Sequence, residues 1–382
     1  MLLVGAVAAT EKYLKSLMTA ALALPGIALG ASVLDADDIP LVYKHLTYEE
    51  DNLMQVDADY INLGIPINAT NDLLVALEFE TMSGASPIFF APGPGGEIIE
   101  VTSGASITDE RTAASFNFRH FTDNGMLSVT PAGSDENDYE SVSVTTEYQW
   151  DSNNKNTTYS LGVGYADETV SATGQDLNED KEGKSLFAGV TQVLDAHSLL
   201  QLNLSLAEES GYLSDPYKLT LVDTAILSDN RPRERKQTAF LVRYIMYMEE
   251  DDASLHLAYR YFDDDWGIKA HTLETTWNQE LSNNWLLSSS LRYYMQDKAD
   301  FYAPFFSTPR ADGIYSSDFR LASYGSVLVG FKLEKTFGSN TSINLNIEYY
   351  TRRGDLKISG DHSTDPEHLT SSMVTFGISH TF

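Results

Sequence analysis

The chain has 382 residues, no cysteine, 42% apolar residues and a formal net charge of −30. The missing cysteine excludes disulfides, thiolate chemistry, covalently held c-type haem and a lipoprotein anchor, and the acid excess excludes nucleic acid, whose phosphates need a basic surface. A mean hydropathy of −0.23 is no argument against a membrane, because the strands of a membrane barrel alternate apolar with polar residues and average out.

At the amino-terminal end, Lys12 and Lys15 precede an apolar run at 17–29, and Ala28 and Gly30 place small residues before Ala31. This is the pattern of a secretory signal peptide over 1–30, leaving 31–382 as a single barrel domain. No later stretch approaches the roughly 18 consecutive apolar residues of a membrane helix. A mature chain embedded in lipid must then be a closed barrel, the other structure that satisfies every backbone group there.

Sixteen segments alternate. They lie at about 41–49, 54–67, 73–83, 109–121, 125–132, 138–150, 156–168 and 184–194, then 198–209, 236–249, 253–264, 268–280, 285–297, 318–337, 341–353 and 370–382. In one, Leu200, Leu202, Leu204 and Leu206 alternate with Gln201, Asn203 and Ser205, as a strand does with lipid on one side. The connections sort by side: every even-to-odd turn is short, Asp123-Asn124 for example, whereas 84–108, 169–183, 210–235, 298–317 and 354–369 are all odd-to-even. The expectation is an all-β, transmembrane, antiparallel up-and-down barrel of about 16 strands, with 14 or 18 as alternatives if one hairpin is misread. Its long loops are extracellular and its short turns periplasmic.

Aromatic residues mark both rims. Trp150, Trp277, Trp285, Tyr148, Phe337 and Phe382 belong to the periplasmic ends, and Tyr261, Tyr293 and Tyr349 to the outer ends. With the apolar parity turned outward, the candidate lumen-lining set is Glu78, Glu80, Arg119, Glu147, Arg243, Arg260, Glu274, Arg292, Lys332, Glu334 and Glu348. Such charges either brace the wall by pairing across the interior or select a solute, as rings of charge do in pores. The loop 84–108 carries Phe89 and Phe90 among prolines and glycines, a candidate constriction or an ordinary outer cap.

Chemistry is sparse. Asp176, Asn178, Asp180 and Glu182 are spaced like the start of a calcium loop, but Lys181 stands where glycine is required. His256 and His271 fall on adjacent strands, yet His271 has the outward parity, and no nucleophile spacing commends itself. We expect no enzyme activity, no cofactor and no resident metal. The last segment holds Thr375, Gly377 and Phe382, and resembles the carboxy-terminal signal read by the barrel assembly machinery of Gram-negative bacteria. His380 stands where that signal usually has an aromatic residue.

A second resemblance runs through 231–297: Arg231-Pro232-Arg233-Glu234-Arg235, Arg243-Tyr244, Tyr259-Arg260-Tyr261-Phe262, Asp263-Asp264-Asp265-Trp266-Gly267-Ile268, His271-Thr272-Leu273-Glu274 and Leu291-Arg292-Tyr293-Tyr294. Gly211-Tyr212-Leu213-Ser214-Asp215-Pro216-Tyr217 and Ser83-Gly84-Ala85-Ser86-Pro87 add to it. The chain is similar over nearly all its mature length to the Gram-negative domain-of-unknown-function family 3570. That resemblance implies an outer-membrane barrel and a partnership with a periplasmic redox protein or lipoprotein, and it brings no activity. The functional expectation is a porin-like channel or binding barrel for a small solute, set among outer-membrane lipids and lipopolysaccharide. The alternative is a non-transport scaffold or sheath for a periplasmic redox or secretion partner.

Overall fold

A strand that alternates in polarity has two open hydrogen-bonding edges, and both must find neighbours before it can cross lipid. In the computed structural model the described residues are 33–36, 38–51, 53–84, 87–93, 98–102, 107–360 and 368–382. The expected leader at 1–30 lies outside them. The strands in the first half are β1 (Pro40–Glu50), β2 (Met54–Asn68), β3 (Asn71–Gly84), β4 (Pro87–Pro92), β5 (Ile98–Thr102), β6 (Ile107–Thr122), β7 (Gly125–Glu136), β8 (Tyr139–Asp151), β9 (Thr157–Ser171) and β10 (Asn178–Val193). The second half adds β11 (Ser198–Gly211), β12 (Leu219–Val222), β13 (Ala225–Ser228), β14 (Glu234–Met248), β15 (Ala253–Asp264), β16 (Lys269–Leu281), β17 (Trp285–Gln296), β18 (Tyr324–Phe337), β19 (Thr341–Arg353) and β20 (Leu369–Thr381).

Sixteen of these form a closed antiparallel barrel, in chain order with β4, β5, β12 and β13 left out. The seam is the pairing of β1 with β20, in register from Pro40 opposite Thr381 to Glu50 opposite Ser371. No edge remains in the wall. The four excluded strands are two hairpins carried on outer loops.

The wall strands run 11 to 16 residues, more than the roughly 9–11 a tilted strand needs to cross a bilayer, so they continue beyond it. Their outward side chains form the lipid face: Leu202, Leu204, Leu206, Leu273, Ile347 and Phe376 are all exposed. Among the expected rim aromatics, Tyr148, Trp277, Trp285, Phe337, Tyr349 and Phe382 are exposed on that face. Inside, Leu46, Tyr48, Met54, Val56, Leu328 and Met373 pack into an apolar cluster on the wall near the seam.

Several boundaries differ from the sequence reading, β7 among them, which runs on to Glu136. Residues 169–183 are mostly wall: β9 runs on to Ser171 and β10 begins at Asn178, because alternation continues there and Lys181 turns inward between Glu168 and Glu209. β18 begins at Tyr324, since Phe319–Leu321 is a short 3-10 turn. The loop 84–108 is not structureless but carries the β4–β5 hairpin.

Candidate functional site

The lumen wall is built by strand parity alone: a side chain two residues along the strand returns to the same face. Arg111, which sequence reasoning missed, draws Glu78 and Glu80 together at 2.9 and 3.1 Å and also faces Glu136 at 3.5 Å. Arg119 holds Asp72 by two bonds of 2.7 Å, both residues buried. Glu274 and Arg292 pair directly across β16 and β17 at 3.1 Å, and Lys332 reaches Glu334 two residues along its strand at 2.5 Å. Glu147 accepts from Gln149 at 2.7 Å and Glu348 from Asn346 at 2.9 Å. Arg243 meets Gln201 at 3.4 Å, and Arg260 stacks on Phe262 at 5.3 Å.

Another group was hidden in the segment read as a loop. Lys181 lies fully buried, 2.9 Å from Glu168 and 3.2 Å from Glu209, and Gln237 donates to the other oxygen of Glu209 at 2.9 Å. Nearby in the ring, Asp109, Glu136 and Asp138 bring three buried carboxylates within 4.8 Å of one another. This is a donor set of the kind hard cations accept, and Asn137, Arg111 and Tyr217 already engage its oxygens.

Over the outer end the loops join. The β4–β5 hairpin rises between the third and fourth strands of the ring, β12 between the ninth and tenth, and 297–323 between the thirteenth and fourteenth. All three meet at β12: β4 packs on it, and Phe306 bridges to Val222. Roots spread so widely around one ring can meet only over its interior, so the meeting point is a cap across the mouth. Phe90 is buried and Phe89 half-buried on the hairpin that reaches β12. Trp266, Phe301, Tyr302, Leu321 and Leu213 supply the cap with an apolar core. Gly267 belongs to it for a steric reason: its φ is +92°, and a Cβ there would lie 2.6 Å from Asp300.

Charges lock the cap. Arg231 bonds Asp229 and Asp318 at 2.6 Å each, and Arg320 bonds Asp318 and Asp215. Burial pushes the Asp318 and Asp215 carboxyls up, but Arg320, with Arg231 beside Asp318 and Lys218 beside Asp215, outweighs it and holds both below the usual range. For Asp229, burial wins over Arg231 and the pKa is raised. Burial and the neighbouring Asp138 push the Tyr217 phenol up to about 12.

His256 lies 3.3 Å from Ser254, but they share one strand two residues apart, and the other ring contact is Asn278 at 3.5 Å; no carboxylate orients the imidazole among the described residues. At the carboxy-terminal strand, Gly377 faces inward where a Cβ would lie 2.8 Å from Asn344, and Phe382 stacks edge-on with His380 at 4.5 Å.

A closed barrel with an apolar outer belt is an outer-membrane barrel by its physics. The family profile described as "Protein of unknown function (DUF3570)" matches residues 14–182 and 173–368. No curated protein matches the sequence. Among solved structures, the fold is similar to a bacterial polysaccharide outer membrane secretin, at 10% identity and a TM-score of 0.50 over 91% of this chain and 100% of that one. Weaker likenesses include a loop-L8 deletion mutant of OmpT, an outer membrane protein of Vibrio cholerae (10% identity, TM-score 0.46, 90% and 98% covered). OpdK of Pseudomonas aeruginosa, solved with vanillate, is another (8%, 0.45, 90% and 98%).

Proposed function

The chain belongs to this family, whose description assigns no activity, and we propose from the geometry that it is a porin-like barrel handling a small solute in a capped lumen. The observation that carries this reading is the contrast between the two sides of the lumen. Along the middle of β8 to β10 many inward side chains are small, Ser143, Thr145, Gly162, Gly164, Ser185 and Gly189, with Glu147 and Phe187 beside them and Glu168 and Lys181 towards the outer end, whereas β14 to β18 present arginines, glutamates and a lysine. A sixteen-strand ring is wide enough for an aqueous channel, and small side chains leave that space open on one side.

In this proposal the chain is exported by its signal peptide, inserted by the barrel assembly machinery of a Gram-negative bacterium, and ringed by lipopolysaccharide. It has no catalytic role. The cap favours a second reading, a scaffold or sheath for a periplasmic redox protein or lipoprotein, since a mouth shut by its own loops passes little. Planar-bilayer recording separates them. Conductance that is small or intermittent in the intact protein and rises on loosening the cap supports the channel; silence in both forms, with barrels intact by heat-modifiable mobility, sinks it. Recovery of a periplasmic protein with the barrel from native membranes would then support the scaffold.

A further inference from the structure

Most charges on the lumen wall are answered by a neighbour. Arg111, Arg119, Lys181, Arg235, Arg292 and Lys332 each have a carboxylate oxygen within 4.0 Å. Arg243 and Arg260 differ. Among the described residues neither takes part in an ion pair; one touches the amide of Gln201 and the other stacks on Phe262.

Their placement puts them together. In the pairing of β14 with β15, Leu241 is opposite Arg260 and Arg243 is opposite Ala258. The two arginines therefore share the inward face as diagonal neighbours, about 7–8 Å apart at the backbone. Between them on the inward face lie Ala258 and Leu241, the other diagonal of the same four residues, and Ala239 is next along β14; the alanine methyl groups leave room in front of the guanidinium groups on either side of the leucine. His256 follows on the same inward row. Phe262, which carries the Arg260 stack, also packs against the apolar core of the cap, so the pair sits directly beneath the closed mouth.

Two guanidinium groups side by side repel, and a partly shielded wall strengthens the repulsion. Stacking on Phe262 engages the flat face of the Arg260 guanidinium, whereas oxyanions are bound by its edge, often through two parallel hydrogen bonds. Every acid near at hand is committed elsewhere: Glu274 pairs with Arg292, and Asp264 with Arg235.

We propose that Arg243 and Arg260 form an oxyanion site on the lumen wall beneath the cap, taking a small organic carboxylate or phosphate. The proposal rests on the solute-handling reading above and gives its solute a chemical class. The Gln201 amide, anchored on the neighbouring strand, orients Arg243 toward the site, and the aromatic ring of Phe262 offers an apolar side to a ligand that has one.

Equilibrium dialysis of the full refolded barrel in detergent, with benzoate and separately with inorganic phosphate, tests the site. Saturable binding is expected. Arg243→Gln with Arg260→Gln is expected to weaken it at least about tenfold, the scale of a lost charge-assisted hydrogen bond, while Lys184→Gln on the outer face leaves it unchanged. Binding of benzoate but not phosphate, or the reverse, selects the ligand class within the proposal. No saturable binding by the wild type, or equal binding by the double variant, overturns it. Where the glutamine pair fails to fold, Arg243→Lys with Arg260→Lys decides: the point charges of lysine cannot bind bidentately, so weakened binding supports the site and unchanged binding overturns it. Conductance of the same preparation is independent, since a silent barrel that binds leaves the site standing and removes the channel.

Discussion

Arg231 Nη2 donates to Asp318 Oδ2 at 2.6 Å, and the two residues are 87 apart in the chain. One belongs to the loop between β11 and β14, the other to the loop between β17 and β18, so this bond ties together two roots of the cap. Both side chains are buried. Removing one partner of a buried pair leaves the other charge uncompensated, at about 3–5 kcal/mol. Because the cap is separate from the wall hydrogen bonds, Asp318→Asn is expected to loosen the cap without unfolding the barrel. Protease cleavage within 297–323 should speed up while heat-modifiable mobility stays normal; unchanged cleavage would mean that the cap does not depend on this bond.

The same network sets an acid response. Asp318 and Asp215 have lowered folded pKa values, so the stability they contribute is present above the ordinary aspartate value of about 4 and is lost only as pH falls through their lower folded values. Asp229 is raised, so its ionised form costs stability at neutral pH, and acidification through its folded value relieves that cost. Both signs agree that protection of 297–323 against proteolysis should hold or rise from pH 7 to about pH 5 and fall only in stronger acid. A steady loss beginning near pH 6 would contradict the assignment.

What the sequence showed and hid follows from the range of each signal. Strand parity is local, so Leu200 to Leu206 reveal their lipid face unaided, and the length of each connection reveals its side of the membrane. The inward direction of Glu78, Arg243 and Glu274 needs only the same count. Partner identity is not local. Arg111 was overlooked because it lies at the edge of its segment, although it gathers Glu78, Glu80 and Glu136. The continuation of β10 through Lys181 was obscured by the acids Asp176, Asp180 and Glu182, which read as a solvated loop until Glu168 and Glu209 are seen beside the lysine. The cap was least legible, since Val222 and Phe306 carry no mark of their pairing.

Lys181 offers a stability test in the wall. Its ammonium is buried between Glu168 and Glu209. Lys181→Met would leave two carboxylates facing each other, and about 3–5 kcal/mol of destabilisation is expected. Replacing all three with apolar residues of similar volume should recover most of that loss, because the desolvation cost of the ions goes with them. Urea unfolding of the barrel in lipid vesicles measures both. Equal midpoints for wild type and Lys181→Met would show that the triad contributes little.

Leu204 and Ser205 test the parity of the wall at adjacent positions. Leu204 is exposed on the lipid face, near the middle of the apolar run from Leu200 to Leu206, and Ser205 turns into the lumen. An arginine on the lipid face at mid-depth costs about 2–4 kcal/mol, while lumen substitutions change selectivity and not insertion. Leu204→Arg is therefore expected to lower unfolding stability in vesicles by that amount. Ser205→Arg, whose cross-strand neighbours are Phe187 and Ala239, is expected to fold normally and narrow the lumen, lowering any conductance. The opposite pattern, with Ser205→Arg the more destabilising, would invert the face assignment and carry the lumen residues of every strand with it.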